Sequence, residues 1–65
     1  MQIIYQGKST ETDATTVGGF LASVGVAAGE AVVECNGEIV GAADADATPL
    51  EEGAELNAYR IVAGG

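Results

Sequence analysis

Hydrophobic and polar positions divide the chain into short segments of two periods. Met1, Ile3 and Tyr5 alternate with Gln2 and Ile4, which predicts a strand with Met1, Ile3 and Tyr5 facing inward. Gln6-Gly7-Lys8 is a tight turn, and Ser9 to Thr12 returns as a polar strand, expected at a sheet edge. Capping residues fill Asp13 to Thr16, and Val17, Phe20, Leu21 and Val24 then follow at i, i+3, i+4 and i+7. This stripe predicts a short helix closed by Gly25. Gly18 and Gly19 weaken that helix by about 1 kcal/mol each relative to alanine. No lysine follows them, so they do not form a phosphate loop, and close packing of the helix against a sheet is expected instead.

After a loop from Val26 to Glu30, Ala31 to Cys35 reads as a strand with Val33 and Cys35 inward and Glu34 outward. Asn36-Gly37 is a strong hairpin signal, and Glu38-Ile39-Val40 is the return strand. Gly41 to Ala47 reads as a mobile surface loop. Thr48-Pro49-Leu50 is expected to form a short helical turn with Leu50 as a plug, and Glu51 to Ala54 a further turn. Glu55 to Val62 is the last strand, with Leu56, Ala58 and Val62 on one face and Asn57, Tyr59 and Ile61 on the other.

Sixty-five residues make one thin-cored domain, expected to be monomeric when free. One cysteine excludes an internal disulfide, and the absence of histidine removes the usual metal sets, so a cytoplasmic location is expected. Asp44 and Asp46 lack the glycine and distal glutamate of a calcium loop. Cys35 has no base or cation nearby in sequence to activate it, and reads as a small buried hydrophobe. Met1 to Tyr5 has neither the positive flank of a signal peptide nor the length of a membrane span. The net charge of −8 repels nucleic acid and suits docking on a basic protein surface, although solubility alone also accounts for it.

The end of the sequence carries the candidate chemistry. Residues 1–62 are expected to form the folded domain and 63–65 a flexible tail of Ala63, Gly64 and Gly65. Paired glycines add nothing to a core, but they make a thin stalk that can enter an enzyme cleft and present the Gly65 carboxylate. A frayed end has the same appearance. Tyr59 and Ile61, with Ile4 if the first strand is a neighbour, are expected to form an apolar docking patch, and Glu51, Glu52 and Glu55 part of its acidic rim.

Hairpin, helix, hairpin, turn and strand follow in the order of a ubiquitin-like β-grasp, an α+β fold with a mixed sheet of about five strands crossed by one helix. Over its full length the chain resembles the ThiS family of sulfur carriers. The resemblance rests on Met1-Gln2-Ile3, Asn36-Gly37-Glu38-Ile39-Val40, Thr48-Pro49-Leu50-Glu51-Glu52-Gly53 and Ile61-Val62-Ala63-Gly64-Gly65. It implies a protein co-substrate that is not itself an enzyme and binds no cofactor. Its Gly65 carboxylate would be adenylated by a ThiF-type enzyme that consumes ATP, and the resulting thiocarboxylate used by a ThiG-type thiazole synthase. MoaD-like carriers of molybdopterin synthesis share the fold and tail, but their Pro-Pro stretch is absent here. Gly41-Ala42-Ala43 stands where ThiS-like carriers often have a proline or a basic residue. A ubiquitin-like modifier conjugated through Gly65 is the alternative from a different class.

Overall fold

The computed structural model describes residues 1–60. The expected strand to Val62, with Ile61, and the tail Ala63, Gly64 and Gly65 therefore extend outside the described residues. Strands β1 (Gln2–Tyr5), β2 (Lys8–Glu11), β3 (Ala31–Cys35), β4 (Glu38–Val40) and β5 (Glu55–Arg60) form one sheet in the order β2-β1-β5-β3-β4. Helix α1 (Val17–Ser23) packs on one face. All neighbours are antiparallel except β1 and β5, which run parallel and place the first and last strands side by side. Both hairpins turn on residue pairs with positive φ, Gln6-Gly7 and Asn36-Gly37. That pair of conformations matches the twist of the strands it joins.

The largest fully buried side chains are Phe20, Ile3, Leu21, Leu56, Val17 and Val33, drawn from the helix stripe and the inward positions of β1, β3 and β5. Tyr5 meets Phe20 edge to face with centroids 4.8 Å apart. Thr16 caps the helix by accepting from the Gly19 N–H at 3.0 Å. At the other end the Val26 N–H bonds Leu21 O and the Gly25 N–H bonds Ala22 O, with Gly25 at φ 77, a Schellman closure. The helix thus stops before Val24, which is 43% exposed rather than the last member of the stripe, and Val26 packs on the core in its place.

Two other expectations are corrected. The short helical turn lies at Ala45–Ala47, and not at Thr48 to Leu50, because Pro49 disfavours a helical Thr48, which is extended at φ −89, ψ 115. Residues 41–47 are thus not a featureless loop: Ala45 is buried, while Leu50 does plug the core as expected. Gly18 is close-packed, but against this turn and not the sheet, since a Cβ there would overlap the Asp46 carboxylate and lie 3.0 Å from the Asp46 backbone nitrogen. Residues 28–30, expected as loop, form one 3-10 turn.

Candidate functional site

β5 leads to the candidate acceptor and is held from both sides. On one side it pairs along its length with β3, from Cys35 opposite Leu56 to Ala31 opposite Arg60. On the other, β1 supplies backbone only as far as Gln6, whose N–H bonds Leu56 O at 3.0 Å. There the chain turns away, and the Gln6 side chain takes over, donating to Ala58 O at 2.8 Å and accepting from Ala58 N at 3.1 Å. Sequence reasoning missed this residue, because a polar side chain in a turn carries no pattern that reports a partner 52 positions away.

Alternation is as expected on β5: Leu56 and Ala58 are buried, and Tyr59 is 55% exposed on the opposite face. Ile4 is also on that outer face, but the parallel register sets it beside Glu55, four residues before Tyr59. At about 3.3 Å per residue the two apolar groups are about 13 Å apart along the sheet. Ile4 and Tyr59 therefore do not form the single patch expected from alternation alone. The cross-strand neighbour of Tyr59 is Val32, itself 38% exposed, and the alternation that buries Val33 was the available signal for it. Between these clusters Asn57 donates to Glu34 at 3.4 Å.

Glu51, Glu52 and Glu55 are exposed before and at the start of β5, the end away from Tyr59, and Glu55 is beside Ile4. Glu52 has a structural bond as well, accepting from the Gln2 N–H at 3.1 Å. The Glu55 backbone is gripped by Asn36, whose Oδ1 accepts from the Glu55 N–H at 3.0 Å and whose N–H donates to Glu55 O at 2.8 Å. Ile61, Ala63, Gly64 and Gly65 lie outside the described residues.

Cys35 is half-buried at the end of β3 far from Arg60. Burial pushes its thiol up, and repulsion from Glu38 and Glu51 pushes it further, the reverse of an activated nucleophile. Among the described residues no cluster of three metal-ligating side chains occurs, and no helix is long and apolar enough to cross a membrane.

A five-stranded mixed sheet with parallel first and last strands and one helix across a single face defines a ubiquitin-like β-grasp protein. The crystal structure of the thiamine biosynthesis protein ThiS from Geobacter metallireducens is similar at a TM-score of 0.84, with 29% identity and full coverage of both chains. The solution structure of a thiamine biosynthesis protein from Geobacter metallireducens is similar at 0.77, with 29% identity over all of this chain and 88% of the other. The chain is ThiS-like throughout its length. No family model and no curated protein matches it.

Proposed function

We propose that this chain is a sulfur carrier for thiazole formation in thiamine biosynthesis, with the Gly65 carboxylate as acceptor. The observation that carries this reading is the whole-chain likeness to ThiS structures. The Gly64-Gly65 pair supports it.

A carboxylate resists attack by a sulfur nucleophile at neutral pH. A ThiF-type enzyme would join it to AMP from ATP with release of pyrophosphate, and sulfur would then displace AMP to leave a thiocarboxylate. A ThiG-type thiazole synthase would consume that group. The chain acts as a co-substrate, contributing an unhindered acyl carbon and a body for partners to hold, which raises the effective concentration of the reacting group. In this reading Tyr59, with Val32 beside it, is the apolar anchor. Glu51, Glu52 and Glu55, the last beside Ile4, steer the approach from the other end of β5.

Incubation with a ThiF-type enzyme, ATP and a sulfur donor, followed by intact mass measurement, tests the reading. Exchange of oxygen for sulfur on the C-terminal peptide is expected, and deletion of Gly65 should abolish it. Isopeptide adducts on lysines would support a modifier instead. Unchanged thiocarboxylate formation without Gly65 would overturn the assignment of the acceptor.

A further inference from the structure

We propose that the open edge of β4, with the groove beside it, is a docking site for an extended segment of a partner protein that carries basic residues around an apolar side chain. The inference stands on the geometry of the edge and does not depend on sulfur transfer.

The β3–β4 hairpin fixes which backbone groups are free. Cys35 pairs with Glu38 next to the two-residue turn, Glu34 with Ile39, and Val33 with Val40. In an antiparallel ladder hydrogen-bonded pairs alternate with non-hydrogen-bonded ones, and the pair flanking a two-residue turn is hydrogen-bonded. Ile39 is therefore in the non-hydrogen-bonded pair, and its N–H and C=O point away from β3 to the open side. None of the described hydrogen bonds outside the strand ladder uses them. An added strand would satisfy both groups at once.

Side chains at this edge supply the rest of a recognition site. Ile39 is 68% exposed, more than any other large hydrophobic residue among those described. Its side chain is on the outer face with Glu34, while Glu38 and Val40 alternate to the inner face, where a groove of about 360 Å³ is lined by Cys35, Asn36, Glu38, Val40, Asp44 and Thr48. An added strand alternates in the same way, so it would set apolar side chains beside Ile39 on the outer face and basic ones over Glu38 and Asp44 in the groove.

Charge selects the occupant. Glu38 and Asp44 line the groove, Glu34 pairs opposite Ile39, and no lysine or arginine lines it. The upward shift of the Cys35 thiol, after its burial, is due to Glu38 and Glu51, so the negative field reaches the cavity. Lys8 is on β2 at the opposite edge of the sheet, and Arg60 is at the end of β5 paired with Ala31. A second copy of the chain would bring its own Glu38 and Asp44 to the contact, where like charges oppose it. A basic strand from another protein meets no such opposition. Tyr59 lies beyond β3 from β4, so the backbone edge of β4 is distinct from the Tyr59 site, although Val32 on β3 shares the outer face with Ile39.

An NMR titration of the isotope-labelled protein with a synthetic peptide of alternating lysine and valine tests this. Amide shifts are expected to concentrate at Glu38, Ile39, Val40 and Gly41 and to weaken at high salt, while an alternating glutamate and valine peptide should produce none. Ile39→Pro removes the outward N–H at an edge position where proline is tolerated, and should weaken binding by about tenfold, the loss of one hydrogen bond. The same loss is expected for the unaltered protein when the lysine and valine peptide is N-methylated at alternate residues, so the result does not hang on how the variant folds. No binding, shifts centred on Val32 and Tyr59, or shifts spread over the whole acidic surface would overturn the proposal. So would binding unaffected by both changes, or sedimentation showing that β4 pairs with another copy.

Discussion

The side-chain amide of Gln6 bonds both backbone groups of Ala58, acting as one more residue of β1 after the β1 backbone has turned away. Gln6→Ala leaves those groups without their partner and is expected to cost about 1–2 kcal/mol in denaturant unfolding. Faster hydrogen exchange at the Ala58 amide should accompany it. Gln6→Glu keeps an acceptor but loses the donor, so it should recover only part of the loss. Full stability in Gln6→Ala would show that solvent replaces the amide.

Gly18 and Gly19 are both in α1, yet their substitutions should differ. Gly18→Ala pushes a methyl group into Asp46, with the backbone nitrogen of the 3-10 turn only 3.0 Å away. It should destabilise by about 1–3 kcal/mol despite the better helix propensity of alanine. A Cβ at Gly19 meets only Thr16 Oγ1 at 3.1 Å and Ala14 Cβ at 3.9 Å, so Gly19→Ala should be the milder change. Thermal denaturation of the two variants checks the order.

Cys35 should be a slow thiol. Burial, Glu38 and Glu51 all favour its protonated form, so alkylation near neutral pH should be slower than for free cysteine and should quicken as pH rises beyond the usual thiol range. Glu38→Gln should speed it modestly. Cys35→Ala is expected to leave thiocarboxylate formation intact, and loss of sulfur transfer in a folded Cys35→Ala protein would give the thiol a chemical role.

The Met1 ammonium donates to Glu11 Oε2 at 2.9 Å and to Thr12 O at 2.8 Å, tying the start of β1 to the end of β2. The bond to Glu11 raises the amine above its usual value and lowers Glu11 below the ordinary carboxylate value. The amine's contribution is therefore complete below an ordinary amine pKa of about 8 and fades as pH rises through the raised value. That of Glu11 is present above about 4.3 and is lost as pH falls through the lowered value. Glu11→Gln should flatten both limbs of the stability profile, and because both groups are solvent-exposed, added salt should do much the same.

Val32 and Tyr59 face each other across β3 and β5 on the outer side of the sheet. Replacing either with aspartate is expected to weaken binding to a ThiF-type enzyme by about tenfold or more while leaving a folded domain, as measured by calorimetry and circular dichroism. Ile4→Asp, about 13 Å away along the sheet, should have the smaller effect. Equal losses at Ile4 and Tyr59 would argue for one broad contact instead.

Much of the fold was legible because small proteins bury their few large hydrophobes in regular patterns. Val17, Phe20 and Leu21 gave the helix face, Ile3, Val33 and Leu56 gave the inner face of the sheet, and Asn36-Gly37 gave its sharpest turn. Ala45 was hidden because a run of alanine and aspartate has no amphipathic period, and its burial depends on the close approach of Gly18 in another element. Alternation placed Tyr59 and Ile4 outward correctly, but strand register is a property of pairs, and only the pairing of Ile4 with Glu55 reveals their separation. Gln6 and Asn36 were unreadable as supports of β5 for the same reason, since their bonds join distant segments.

The central position of β5 sets an order on the birth of the molecule. Its neighbours β1 and β3 make no ladder with each other, so the two hairpins belong to one sheet only through the last strand. The sheet is complete only when the chain through Arg60 is available, and the pairing of Ile4 with Glu55 is a contact of long sequence span, the kind whose closure slows folding. A complete sheet therefore always includes the strand that leads toward Gly65, and a chain cut short before β5 would leave Ile3 and Val33 without Leu56 to cover them.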